Sequence, residues 1–208
     1  MLPPAVHLVT DRSLTPDLGA AVSAALRGQP VGAVAVHLRE KDLGGRDLLA
    51  WARILVRSCE ECGQLLFVND RVDVALAARA HGVHLPSMGV PPAEARRLLG
   101  QSRMVGVSCH GAEDVRRALA GGADYATFGP VFDTPSKRSY GAPVGLAALR
   151  GASRLGLPLV ALGGVDVANA GDAAAAGASG VAAIRAWLAA PDPGRAVAAL
   201  LAAVRPSP

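Results

Sequence analysis

ATFGPVFDTPSKRSY, residues 126–140, begins as a short apolar run and ends as a polar loop. The run lies behind Gly121-Gly122-Ala123-Asp124 and reads as a buried strand ending near Phe128. Beyond it come Pro130 and Pro135, the hydroxyls of Thr134 and Ser136, and Lys137, all before a helical pattern resumes. Strand-to-helix connections in compact domains are normally a few residues long, so a longer one rich in hydrogen-bonding groups points to function. Only Lys41 and Lys137 are lysine in a chain with 21 Lys and Arg. Two retained lysines mark places where a compact ammonium is wanted.

Outward from this strand the same unit repeats. Apolar runs at Ala5-Val9, Gly32-Leu38, Leu65-Val68, Gly82-Leu85, Met104-Ser108, Asp124-Phe128, Pro158-Leu162 and Gly180-Ile184 read as strands. Amphipathic stretches near 16–28, 45–62, 72–80, 91–100, 112–121, 144–156, 167–176 and 193–204 alternate with them. Alternating β and α predicts a parallel sheet, and eight such units predict a (β/α)8 TIM barrel in a single domain spanning 1–208. An open doubly wound sheet is the weaker alternative.

Composition narrows the function classes. The 51% hydrophobic and 3% aromatic content predicts a large core of Val, Leu and Ala. The net charge of +4 comes from scattered arginines without aromatic interleaving, which argues against a nucleic-acid surface and leaves anionic small molecules as ligands. Cys59 and Cys62 have C-x-x-C spacing with no second pair to complete a zinc site, and they read as helical neighbours. No long uncharged apolar run and no signal pattern is present, so a cytoplasmic protein with no membrane partner is expected. Barrels of this size often pair, and a homo-oligomer is compatible with the sequence.

In a barrel, chemistry sits at the C-terminal ends of the strands. There the chain places Thr10-Asp11-Arg12, His37 with Arg39-Glu40-Lys41, Asn69-Asp70-Arg71, His84 with Ser87, Ser108 with His110, and Thr134, Ser136 and Lys137. Gly163-Gly164 would let the backbone approach a ligand, with a helix starting at Asp166 or just after, a setting that binds phosphate. Ile184 and Arg185 close strand eight beside it. The prolines and Gly141 would let the loop 130–143 act as a hinged lid.

LVTD (8–11), HLREK (37–41), VNDRVDVAL (68–76), GVHL (82–85), GVSCH (106–110), GADYATFGPVFDTPSK (122–137) and ALGGV (161–165) together resemble the thiamine phosphate synthase superfamily. That group contains thiamine phosphate synthase and the TenI-type thiazole tautomerase, on a TIM barrel. The resemblance implies substrate and diphosphate contacts at Arg39, Lys41, Asn69, Asp70, Ser108, Thr134, Ser136 and Lys137. It also implies phosphate contacts at Gly164, Ile184 and Arg185.

Two departures from the synthase pattern favour the tautomerase. The run GVHLPSMG has Pro86, Ser87 and Gly89 where the synthase pattern has Gly, Gln and a second metal-binding Asp, and His37 stands where that pattern has Gln. Glu94, the next carboxylate, falls in a helical pattern. The expectation is therefore a thiazole tautomerase, an isomerase that takes a phosphorylated thiazole and needs no metal or other cofactor. Its proton shuttle would be His110, with His37 across the mouth as a substrate-orienting donor or relay partner, since histidine titrates near neutrality. The alternatives are the synthase, with Mg2+ on Asp70, and a non-catalytic barrel that binds the thiazole phosphate without turnover.

Overall fold

Val6–Val9 (β1) pairs in parallel with Val34–Leu38 (β2) on one side and with Gly180–Ala183 (β8) on the other, which closes the sheet. Leu65–Asn69 (β3), Gly82–Leu85 (β4), Met104–Cys109 (β5), Tyr125–Phe128 (β6) and Leu159–Leu162 (β7) complete the ring in chain order. This is the expected (β/α)8 barrel, seen in a computed structural model that describes residues 2–134, 138 and 142–204.

The strands are short and buried on both faces, as their unbroken apolar runs require in a parallel sheet. The pleat sorts each strand into two sets. Val6, Leu8, Val34, Val36, Leu66, Val68, Val83, Leu85, Val105 and Ala126 belong to the larger cluster, which packs under the helices. Val9, Ala35, Phe67, Met104, Tyr125, Val160 and Ala182 form a smaller cluster inside the barrel. By the same alternation His7, His37, Asn69, His84, Ser108 and Thr127 take interior positions.

The helices are Leu18–Leu26 (α1), Gly45–Glu61 (α2), Val72–Ala77 (α3), Pro92–Leu99 (α4), Ala112–Ala120 (α5), Gly145–Ser153 (α6), Ala170–Ala175 (α7), Arg185–Leu188 (α8) and Pro193–Val204 (α9). Two differ from expectation. The segment 166–169 is an Asx turn, with Asp166 Oδ1 accepting from the Ala168 and Asn169 amides, so α7 starts later than the periodicity suggests. Directly after β8, the one-turn α8 was hidden from a periodicity reading by its four-residue length. No helix among the described residues is long and apolar enough to cross a membrane.

Candidate active site

Below the mouth, the barrel interior is a stack of rings. His7 lies 4.9 Å from His37, His37 5.0 Å from His84, and His84 5.7 Å from Tyr125, centroid to centroid. Their hydrogen bonds fix a direction. His7 Nε2 donates to the Pro4 carbonyl at 3.0 Å, which leaves His7 Nδ1 to accept from His37 Nε2 at 2.7 Å. Burial lowers the His7 pKa to about 3 and, with help from His7 and His84, pushes His37 well below its ordinary value. His84 is also lowered to about 3, by burial first and then by the charges of His7 and Arg39. These rings are neutral at physiological pH. His84 turns its Nε2 upward in the network, 3.0 Å from Ser108 Oγ and 3.2 Å from Thr127 Oγ1, while its Nδ1 meets the Tyr125 hydroxyl at 3.2 Å.

At the end of β3 the chain makes a tight turn. The Arg71 amide donates to the Asn69 carbonyl at 2.8 Å around Asp70, whose φ is 66°. A γ-turn of this hand is strained, and Asp tolerates it better than most residues. The Asp70 amide is anchored on the His84 carbonyl at 2.8 Å, and the residue is exposed. Across from it, a Cβ added at Gly89 would lie 3.3 Å from Asp70 Oδ1 but only 2.7 Å from Pro86 Cγ. Pro86 thus leaves no room for a side chain at the place where a second carboxylate would stand beside Asp70. Glu94 is in α4, as expected, and pairs with Arg97.

Further round the mouth, His110 is exposed, its amide bound by the Asp114 carboxylate at 2.8 Å and its Nδ1 donating to the Gly129 carbonyl at 2.6 Å. In the neutral ring Nε2 is then the acceptor. Gly163 and Gly164 have φ of 94° and 66°. Their nearest neighbours belong to the loop after β6: an added Cβ would lie 2.5 Å from Pro130 Cα at Gly163 and 2.5 Å from the Asp133 carbonyl oxygen at Gly164. The pair therefore lets residues 130–133 run across the β7 end, where Val131 and Phe132 amides bond Leu162 and Gly163 carbonyls. Ile184 packs on the inner cluster and precedes α8, and Arg185 is the exposed first residue of that helix.

The barrel brings Arg39, Lys41, Asn69, Asp70, Ser108, His110, Thr134, Gly164, Ile184 and Arg185 to one end of the sheet, each at or after the C-terminal end of its strand. Ser136 and Lys137 lie outside the described residues. His37 belongs to a deeper layer. At 2% exposure, with Nε2 committed to His7 and no hydrogen bond to His110, it is a ring of the interior stack instead of a relay partner. Sequence reasoning gave Glu40 no role, yet Glu40 is buried and joins two loops of the mouth. Its flanking cations masked it: a carboxylate between Arg39 and Lys41 reads as solvated charge.

The family described as thiamine monophosphate synthase matches residues 6–187. A Geobacter sulfurreducens protein named, provisionally, as a thiamine-phosphate synthase is 50% identical over 97% of this chain and 94% of its own length. The thiamine-phosphate synthase of Roseiflexus sp. is 43% identical over 96% of this chain and 84% of its own. The structure of thiamine phosphate pyrophosphorylase from Pyrococcus furiosus superposes with a TM-score of 0.86 at 33% identity, covering 96% of this chain and 95% of that one. These likenesses overturn the expectation of a thiazole tautomerase and of an isomerase: the relatives carry the name of the synthase, a transferase. The two departures that favoured the tautomerase have local causes. His37 completes an interior ring stack, and Gly89 lies under Pro86.

Proposed function

We propose a function from one premise: the chain belongs to the thiamine monophosphate synthase family. The reading is a transferase that joins a hydroxymethylpyrimidine diphosphate to a thiazole phosphate and releases diphosphate. The observation that carries it is Asp70, an exposed carboxylate held on a positive-φ turn at the mouth end of β3, next to the strand that carries Arg39.

The bond that breaks sends its electron pair to the departing diphosphate, so the site must meet negative charge as it develops. Arg39 and Lys41 line one open cleft of about 340 Å³ with Asp11, Arg12 and Ser13 and supply the cations. Asn69 and Ser108 supply neutral hydrogen-bonding groups, and His84 holds the Ser108 hydroxyl in place from below. The family resemblance adds Ser136 and Lys137, which lie outside the described residues. At the opposite side of the mouth, the Gly164 turn and the start of α8 at Ile184 and Arg185 suit the phosphate of the thiazole, since barrels use the ends of strands seven and eight in this way. His110, tied to the Gly129 carbonyl, holds the β5 and β6 ends together.

The residues fit a magnesium ion of one kind only. No group of three His, Cys, Asp or Glu able to hold a metal occurs among the described residues, so a closed protein site is excluded there. Magnesium is commonly held by one or two carboxylates together with substrate phosphates, and Asp70 meets that minimum. When bound, the ion would neutralise charge on the diphosphate.

The test supplies both precursors and magnesium to the purified protein and follows release of inorganic diphosphate. Magnesium-dependent release is expected, falling at least about a hundredfold in Arg39→Ala. No release at saturating magnesium overturns the reading.

A further inference from the structure

Glu40 is a carboxylate placed against expectation. It lies among the cations of a site that is to receive an anion, and its side chain is only 3% exposed. A buried negative charge at that position would repel substrate unless its charge were already taken up. The structure shows where it goes. Oε1 accepts from the Thr10 hydroxyl at 2.6 Å, and Oε2 accepts from the Arg12 amide at 3.1 Å, with Arg12 Nε 3.8 Å away. Thr10 has a second bond: its Oγ1 accepts from the Arg39 amide at 3.0 Å. The Thr10 amide in turn donates to the His37 carbonyl at 3.0 Å. Outside this bracket, the Arg12 guanidinium reaches across to Asp42.

A single carboxylate therefore ties the loop after β1 to the loop after β2. The chain of bonds runs from Glu40 through the Thr10 hydroxyl to the peptide of Arg39, the residue whose charge also bears on His84. Each carboxylate oxygen accepts one hydrogen bond, from Thr10 or from the Arg12 amide, and the nearby Arg12 guanidinium offsets its charge, so the carboxylate presents little net negative charge to an incoming anion.

We propose that Glu40 is a positioning residue: acting through Thr10, it fixes the Arg39 peptide so that this cation is aimed at the diphosphate before substrate arrives. It makes no contact with substrate. The benefit is preorganisation, because an arginine that must be ordered on binding loses side-chain and backbone entropy at that moment. The proposal rests on the synthase reading for the identity of the anion, and not for the bracket itself.

Two measurements on the full chain test it. The first needs no ligand: hydrogen exchange at the Arg39 amide, by NMR, in the unaltered protein, Glu40→Ala and Thr10→Val. Exchange is expected to speed up at least about tenfold in both variants, as for a bond released from a coupled network. An unchanged rate in folded variants overturns the proposal whatever the reaction is. The second is calorimetric binding of inorganic diphosphate with magnesium. Glu40→Ala is expected to weaken it about tenfold, and Glu40→Gln, which keeps one acceptor oxygen, by less. In an Arg39→Ala background the Glu40→Ala change is expected to add less than about twofold. Equal losses in both backgrounds would show a general structural role and overturn the proposal. Failure of the unaltered protein to bind diphosphate counts against the synthase reading instead, and the exchange rates still decide the role of Glu40. If Glu40→Ala does not fold, the near-isosteric Thr10→Val takes its place in both measurements.

Discussion

His37 Nε2 donates to His7 Nδ1 across 2.7 Å inside the barrel, and this bond requires the His7 ring to be neutral. Protonation of His7 would put a donor against a donor, and protonation of His37 would keep the bond but bury a charge in a space closed to water. His84, whose ring lies 5.0 Å from that of His37, adds a third buried imidazole.

A pH dependence of stability follows. The folded pKa values of His7 and His84 are lowered to about 3, whereas the unfolded chain protonates near 6.5. Between those values the unfolded state binds more protons, so stability is complete above pH 6.5 and is lost as pH falls. At pH 5 each of the two rings costs about 2 kcal/mol, and the melting temperature should drop by about 10 °C relative to pH 7.5. Differential scanning calorimetry at the two pH values checks this, and equal melting temperatures would refute the buried neutral stack.

Asp70 holds its place by backbone bonds, so its carboxylate can be changed without disturbing the turn. Asp70→Asn is expected to leave the melting temperature within about 2 °C while lowering turnover about a hundredfold at fixed magnesium. Added magnesium should recover part of that loss. Full activity in Asp70→Asn would remove Asp70 from the site.

Gly89 and Pro86 make a paired prediction. Gly89→Asp alone forces its Cβ against Pro86 and should cost about 2 kcal/mol, read as a drop of several degrees in melting temperature. With Pro86→Gly added, the new carboxylate can stand beside Asp70. The magnesium concentration for half-maximal rate should then fall about fivefold, because added ligand charge tightens such sites. Unchanged magnesium demand in the double variant would show that the two positions do not share an ion.

Arg96 supports the far end of the barrel. Its guanidinium donates to Asp124 at 2.5 Å and to the Arg103 carbonyl at 2.6 Å, while Asp124 Oδ2 also accepts from the Val105 amide at 2.6 Å. Arg96 is 15% and Asp124 34% exposed, so solvent screens part of the attraction. Arg96→Met should cost about 2 kcal/mol, mostly through lost charge-assisted hydrogen bonds, with kcat unchanged. A melting temperature equal to the unaltered protein would mean the pair contributes nothing.

The strand runs and the helical periodicities by themselves determined the barrel, because a strand buried on both faces must be apolar along its length and a covering helix must be apolar along one stripe. Both demands are local in the chain. The polar residues at strand ends, Arg39, Asn69, Asp70 and Ser108 among them, were legible for the same reason: once the strands are placed, their C-terminal ends share a mouth. What the chain could not state is which polar residues face each other. His37 and His7 are 30 positions apart, as are Thr10 and Glu40, and only the closure of β1 against β2 makes them partners. Only the folded loop after β4 shows Pro86 lying over Gly89 at the side of Asp70. Tertiary structure thus decided which histidine is sealed as a neutral ring, which carboxylate faces solvent, and which is spent on holding an arginine, since burial and hydrogen-bond partners belong to no single stretch of sequence.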